Sequence, residues 1–187
     1  MTRESTQKTQ EKIPAETDTP APETVSSKNS RSSGTLQVVE FLLGNEYYAI
    51  DLFDVREVVE YTTITQLPDT PGYMKGIIDL RGEITTIIDL KERLNITVAS
   101  GQPVENSRII VLDEKITKAK TGIMVDDVLA VSTFERGDID STSASSARED
   151  AAILGIIKKR VKDKERERNE LIIWIDIRHL LADIGQN

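Results

Sequence analysis

Few residues in this chain have a type or spacing suited to catalysis. The sequence contains no cysteine and one histidine, which excludes thiolate nucleophiles and disulfides and argues against a zinc site. His179 falls in an apolar segment near the C-terminus with no companion motif. We therefore interpret it as a surface or packing residue rather than a general base.

Carboxylates come close together at Asp126 and Asp127 and again at Asp138 and Asp140. A hard cation takes about six oxygen ligands or more, and neither pair belongs to a recognised calcium loop. Solvated carboxylates in turns are the simpler interpretation. We predict no catalytic residue, no metal and no cofactor, which favours a binding protein over an enzyme.

Charge and composition argue against nucleic acid and membrane as partners. The formal net charge is −8, and an acidic chain is repelled by phosphate backbones. Three Phe, four Tyr and one Trp leave few platforms for stacking bases. No apolar run approaches the roughly 20 residues that span a bilayer, and the first residues lack the apolar core of a secretory signal. We predict a cytoplasmic protein that neither binds nucleic acid nor inserts into the membrane.

The composition changes near residue 35. Residues 1–34 are rich in Pro, Thr, Ser, Glu and Lys, with apolar residues scattered singly. Such a segment cannot bury enough surface to offset the entropy of ordering it. We predict a disordered N-terminal tail, either passive or used for docking, followed by a folded domain at residues 35–187.

Short strand-like segments separated by turn signals fill the folded domain. Helical turns are predicted at 55–59, from the spacing of Val55, Val58 and Val59, at 89–94, and at 176–184 with Asp176 as N-cap. About ten strands without long crossover helices favour a mainly β fold of small barrels over a parallel sheet. The predicted strands are 36–43, 47–52, 64–67, 76–80, 84–90, 107–112, 121–125, 128–133, 151–157 and 171–175.

A charged insert separates the last two predicted strands. Residues 158–170 interleave basic and acidic side chains, which suits a solvated hairpin tip or a short ion-paired helix. A nucleic-acid site would carry basic residues without the interleaved Asp163, Glu165 and Glu167. We favour the solvated hairpin tip.

An ordered series of short motifs runs through the folded domain. From Gly44 the chain reads GNEYYAIDLFDVREVVEYTTITQLPDTPGYMKGIIDLRGEITTIIDLKERL, which holds Tyr-Ala-Ile-Asp, a Val-x-Glu-Val step, Ile-Thr-x-Leu-Pro, Leu-Arg-Gly and Ile-Asp-Leu. The second half adds RIIVL from Arg108, GIMVDDV from Gly122, GII from Gly155 and IWIDI from Ile173. In order and separation this series resembles the CheW domain family over residues 35–184.

The resemblance implies a fold of two intertwined SH3-like five-stranded β-barrels with a few short helices, packed about a shared core, with no activity and no cofactor. It implies two partners, the regulatory domain of a CheA-type histidine kinase and the cytoplasmic tip of a chemoreceptor, and it allows weak self-association in arrays. The chain would then be a chemotaxis adaptor held at receptor arrays through its partners. The alternatives are a CheW-like scaffold that couples a kinase to a non-chemotaxis input and an enzyme with an unrecognised carboxylate site.

The resemblance also implies partner contacts at six positions. In the family the arginine of Leu-Arg-Gly pairs with the glutamate of Val-x-Glu-Val, and the pair either braces two segments or belongs to an interface. Val55 either packs in the core or anchors a partner, and Gly76 also suggests a backbone requirement. The six positions are Val55, Glu57, Val58, Lys75, Gly76 and Arg81.

Three features depart from the family pattern. Thr86 stands where proline is frequent, and we expect little effect because threonine restores a backbone donor and favours a strand. The charged insert at 158–170 is longer than the usual turn, and the N-terminal tail is long. Both extensions can change partner choice without touching the core pattern.

Overall fold

A computed structural model describes residues 34–97, 103–117, 119–141, 152–163 and 166–184. The predicted tail, apart from Gly34, and most of the polar loop at 137–150 lie outside the described residues. Short 3-10 helices cover Leu52–Asp54, Val104–Asn106 and Arg136–Asp138. The strands and α-helices are β1 Thr35–Leu43, β2 Glu46–Asp51, β3 Val55–Glu60, β4 Met74–Leu80, β5 Glu83–Asp89, α1 Leu90–Arg93, β6 Arg108–Leu112, β7 Thr121–Val125, β8 Asp127–Glu135, β9 Ile139–Asp140, β10 Ile153–Asp163, β11 Arg166–Ile175 and α2 Ile177–Leu180.

The strands form two sheets that share one chain path. The first sheet has the order β8-β1-β2-β11-β10-β9, and the second has the order β3-β6-β7-β5-β4. All five strands of the second sheet lie between β2 and β8 in the sequence. The first sheet is therefore completed only after the chain has built the second, which makes the two halves intertwined. Most pairs are antiparallel, and β2 with β11 and β5 with β7 are parallel.

Each sheet closes around its own apolar cluster, so we call them the first and second barrels. Every strand of the first sheet contributes to a cluster of Val38, Ala49, Phe134, Ile157 and Ile172, with Leu36, Tyr47, Ile139 and Trp174 against it. Every strand of the second contributes to a cluster of Ile78, Ile87, Ile109, Val111 and Met124, with Val59, Tyr61, Ile64 and Leu80 against it.

A third cluster lies between the barrels and is the largest. Successive residues of a strand point to opposite faces, so Ile109 belongs to the second barrel's cluster while Ile110 belongs to the shared core. The same alternation sends Val38 into the first barrel and Val39 into the shared core. Strands buried on both faces explain the nearly continuous apolar runs of the sequence.

The mainly β fold of two barrels is confirmed, with a short sixth strand, β9, in the first barrel. The predicted turn at 89–94 is confirmed as α1, capped by Asp89. Asp176 caps α2, although that helix stops at Leu180 rather than 184. The strand predicted at 64–67 is wrong, because only an isolated bridge joins Thr65 to Ile77.

Candidate partner-binding surface

The segment predicted as a helical turn at 55–59 is the edge strand β3. In its pairing with β6, Val55 opposes Leu112 and Glu57 opposes Val111. Arg56 is therefore an extra, bulged residue. Because of the bulge, Val55 and Val58 share a face of the strand although they are three residues apart. The prediction of a helical turn is wrong, because the bulge places residues three apart on one face of the strand, as a helix would.

The two valines on that face differ in exposure. Val55 packs against the shared core, whereas the side chain of Val58 is among the exposed large apolar groups at 41%. Val55 was predicted either to pack in the core or to anchor a partner, and its surroundings are those of a core residue. Val58 is the valine that a partner could reach.

The seam of the second barrel brings the strands β3 and β4 towards each other. The segment after β3 is tied to β4 by two backbone hydrogen bonds between Thr65 and Ile77, each 2.9 Å long. Gly76 sits beside this bridge with a φ of +138°, and a Cβ there would lie 2.1 Å from the Thr65 carbonyl oxygen. The buried glycine thus permits the close approach that closes the barrel.

An ion pair joins the two ends of the seam. The guanidinium of Arg81, in the turn after β4, lies 2.8 Å from the Glu57 carboxylate on β3. A second nitrogen lies 3.3 Å from the other oxygen, so the contact is a two-point one. The Arg81 side chain is 75% exposed and that of Glu57 is 23% exposed. Glu57 and Val58 point to opposite faces of β3, so the structure does not unite all six predicted residues in one patch.

Replacing Arg81 with alanine should change the free energy of unfolding by about 1 kcal/mol or less, because an exposed pair contributes little in water. Urea unfolding monitored by the intrinsic fluorescence of Trp174 measures this change. A loss of about 3 kcal/mol or more would instead identify a buried structural brace. Lys115→Ala, which removes another exposed cation with an 81% exposed side chain, is the matched control.

Lys75 and Glu83 add charge near the seam, and both are paired. The Lys75 ammonium lies 3.1 Å from Asp89, whose other oxygen caps α1 by accepting from the Lys91 amide at 3.0 Å. Glu83 pairs with Lys120, and that hydrogen bond lowers the pKa of the exposed Glu83 carboxyl. The ion pairs restrain both side chains on the surface.

Two buried carboxylates, which the sequence did not reveal as braces, tie the barrels together. Asp126 accepts from the Gly44 amide and from the Lys91 ammonium, each at 2.6 Å. Asp54 pairs with Arg178, whose pKa is raised by that hydrogen bond. The interpretation of Asp126 as a solvated carboxylate is wrong, because the residue is 4% exposed and its two oxygens accept from a backbone and a side-chain donor.

The remaining candidates have ordinary surroundings. Asp138 accepts from the Glu135 amide at 3.2 Å, and His179 is exposed on α2. Across the residues described above, no group of three or more His, Cys, Asp or Glu could hold a metal ion. None of the helices in this part of the chain is long and apolar enough to cross a membrane.

Comparison with known proteins agrees with this architecture. The family model for the CheW-like domain matches residues 37–185. Chemotaxis protein CheW of Treponema pallidum is 30% identical over 149 residues, which is 78% of this chain and 82% of the relative. Chemotaxis protein CheW of Klebsiella aerogenes is 32% identical over 145 residues, covering 76% and 79%. The crystal structure of the scaffolding protein TtCheW from Thermoanaerobacter tengcongensis superposes with a TM-score of 0.63 at 34% identity, covering 81% of this chain and 95% of that one.

The fold defines a double SH3-like β-barrel domain. The family model that matches residues 37–185 also identifies the family. The chain belongs to the CheW-like domain family of chemotaxis scaffold proteins.

Proposed function

We propose that this protein is a non-enzymatic chemotaxis adaptor that couples chemoreceptors to a CheA-type histidine kinase. The observation that carries the proposal is the family match, since relatives named chemotaxis protein CheW align with this chain over most of their own length. The proposed location is the cytoplasm, at receptor arrays, through these partners.

The surface of the second barrel supports a binding role. Val58 offers an exposed apolar side chain on an edge strand, and such a group can serve as the apolar contact of a protein interface. Glu57 and Arg81 supply the charge on the other side of that strand. We propose that Val58 and the Glu57–Arg81 pair serve different partners, because they point to opposite faces. Val55, Lys75 and Gly76 would support this surface from behind.

The proposed mechanism is scaffolding. Binding a kinase with one face and a receptor with another holds them at high effective concentration, so individual contacts of about micromolar strength suffice. The receptor state would then shift the kinase between its active and inactive conformations only to the extent that binding differs between them.

Co-sedimentation with a purified CheA-type kinase and receptor-containing membranes tests the proposal, with kinase autophosphorylation as the readout. We expect the kinase to enter the receptor fraction, and its activity to follow the receptor state, only when this protein is added. If the folded protein binds a kinase but no chemoreceptor, the alternative of a non-chemotaxis input is favoured. If it binds neither, the proposal fails.

Replacing Val58 with aspartate should leave the domain folded and weaken binding of one partner by about tenfold or more, because a charge then meets the apolar contact. Isothermal titration with kinase and with receptor fragments, separately, measures the effect. Val104→Asp, at a side chain of similar exposure (47%) in a 3-10 helix, is the control. Unchanged affinity for both partners would remove Val58 from the interface.

A further inference from the structure

The charged insert extends β10 and β11 into a two-stranded arm. Among the described residues, β10 pairs with β9 only at Ile156 and Ile157, and β11 pairs with β2 only at residues 172–174. The segments 158–163 and 166–171 pair with each other alone. Six residues of strand span about 20 Å, so the arm reaches well past its neighbouring strands. Over its described residues, the insert predicted as a hairpin tip is therefore paired strand.

Among the arm cations whose side chains the structure describes, most have partners. Lys159 contacts Glu40 at 2.6 Å, Lys162 contacts Glu167 at 3.2 Å and Arg168 contacts Glu170 at 2.8 Å. Arg160 is exposed, and within the described structure its guanidinium has no ion pair or side-chain hydrogen bond. Lys158 reaches Asp140 only at 3.5 Å.

An exposed leucine lies beside Arg160 and beside Lys158, whose contact with Asp140 is long. Lys158 opposes Leu171 and Arg160 opposes Asn169 in the antiparallel ladder. Opposed residues, and residues two apart in a strand, share a face. The four side chains therefore form one patch, which we call the arm patch. Leu171 at its base is 56% exposed.

We propose that the arm patch docks a short segment of a partner protein that presents a carboxylate next to an apolar side chain. The planar guanidinium of Arg160 would donate two hydrogen bonds to the carboxylate, and the Lys158 ammonium would add a second positive charge. Leu171 would pack against the apolar side chain of the partner segment. The Asn169 amide can donate hydrogen bonds to, and accept them from, the polar groups of that segment. Arg160 and Leu171 are diagonal neighbours across the ladder, about 7–8 Å apart, and residues one turn apart on a helix are separated by about 6 Å.

A membrane surface or a nucleic acid fits the arm less well. Residues 158–170 hold seven Lys or Arg but also four Asp or Glu, and Lys159, Lys162 and Arg168 are each paired with a glutamate. Polyanion binding needs many unpaired cations, since each neutralised phosphate adds to the affinity. A local contact built from two cations, an amide and one leucine instead matches the mixed character of protein interfaces.

Fluorescence anisotropy of the full chain with a labelled 16-residue alanine-based peptide, carrying Glu and Leu four residues apart, tests the inference. We expect binding that Arg160→Gln weakens at least fivefold and Leu171→Thr weakens at least threefold, while Lys115→Gln leaves it unchanged. Thermal melts confirm that the variants are folded. The same peptide with Lys in place of Glu should not bind.

Two further probes separate the classes of partner. Phosphatidylglycerol vesicles and a single-stranded oligonucleotide are titrated under the same ionic conditions. Binding to either one that exceeds binding to the peptide and is lost in Arg160→Gln would replace the protein partner with a polyanion. Absent peptide binding, or peptide binding insensitive to both substitutions, would overturn the inference. The outcome does not depend on the kinase or the chemoreceptor, so it is separate from the coupling role.

Discussion

Replacing Gly76 with alanine is expected to destabilise the domain by about 3 kcal/mol or more. The residue has a φ of +138°, and a Cβ would lie 2.1 Å from the Thr65 oxygen and 2.8 Å from its carbonyl carbon. Both neighbours are backbone atoms, so relief requires the Thr65–Ile77 bridge to separate. The seam of the second barrel would open where β4 meets the segment that follows β3.

Urea unfolding, comparing the extrapolated free energies of wild type and variant, measures this effect. Gly137→Ala is the matched control, since a Cβ there meets nothing within 4 Å, and its change should stay within about 0.5 kcal/mol. A Gly76→Ala protein within about 1 kcal/mol of wild type would show that the seam relaxes easily. Because Gly76 is proposed to support the binding surface from behind, any loss of partner binding must be compared with the fraction that remains folded.

Replacing Lys159 with methionine is expected to cost about 3–5 kcal/mol, because it leaves a buried carboxylate without its counter-ion. The Glu40 side chain is 3% exposed and contacts the Lys159 ammonium at 2.6 Å. Its other oxygen is buried without a hydrogen-bond partner, so no second donor compensates. The methionine keeps an apolar stem of similar length, which confines the change to the charge.

Two further variants test whether the loss of stability comes from the unpaired buried carboxylate. Lys162→Met removes the cation of an exposed pair, with side chains 83% and 67% exposed, and should cost about 1 kcal/mol or less. The double variant Glu40→Leu with Lys159→Met should recover most of the stability, since an apolar pair can replace a buried ion pair. A single Lys159→Met variant as stable as wild type would mean that Glu40 gains water or another partner when the lysine is removed.

The two large effects come from buried contacts next to the proposed interfaces rather than from the interfaces themselves. Arg81, Val58 and Arg160 are exposed positions where substitutions should change binding far more than stability. Gly76 and Lys159 are positions where the opposite holds. Comparing the two groups in the same unfolding and binding assays therefore separates residues of the proposed binding surfaces from residues that stabilise the fold.

Local sequence patterns predicted the strands well and the irregular positions poorly. The runs at 36–43 and 107–112 correspond to β1 and β6, because apolar, β-branched segments of this length suit only buried strands here. Asp89 and Asp176 were predicted at helix starts and cap α1 and α2. The valine spacing in β3 predicted a helical turn, which is wrong because the bulge at Arg56 depends on pairing with β6, a strand distant in sequence.

By itself the sequence determined the mainly β class, the turn positions and the motif series that marks the family, because these depend on neighbours within a few residues. Only the tertiary structure decided how Gly76 meets Thr65, how Lys159 reaches Glu40 across 119 positions, and how Asp126 joins the two barrels. It also decided that Val58 is exposed and Val55 is not. Those outcomes follow from which strands pack together, and the free energy of a contact depends on burial and geometry that no local pattern contains.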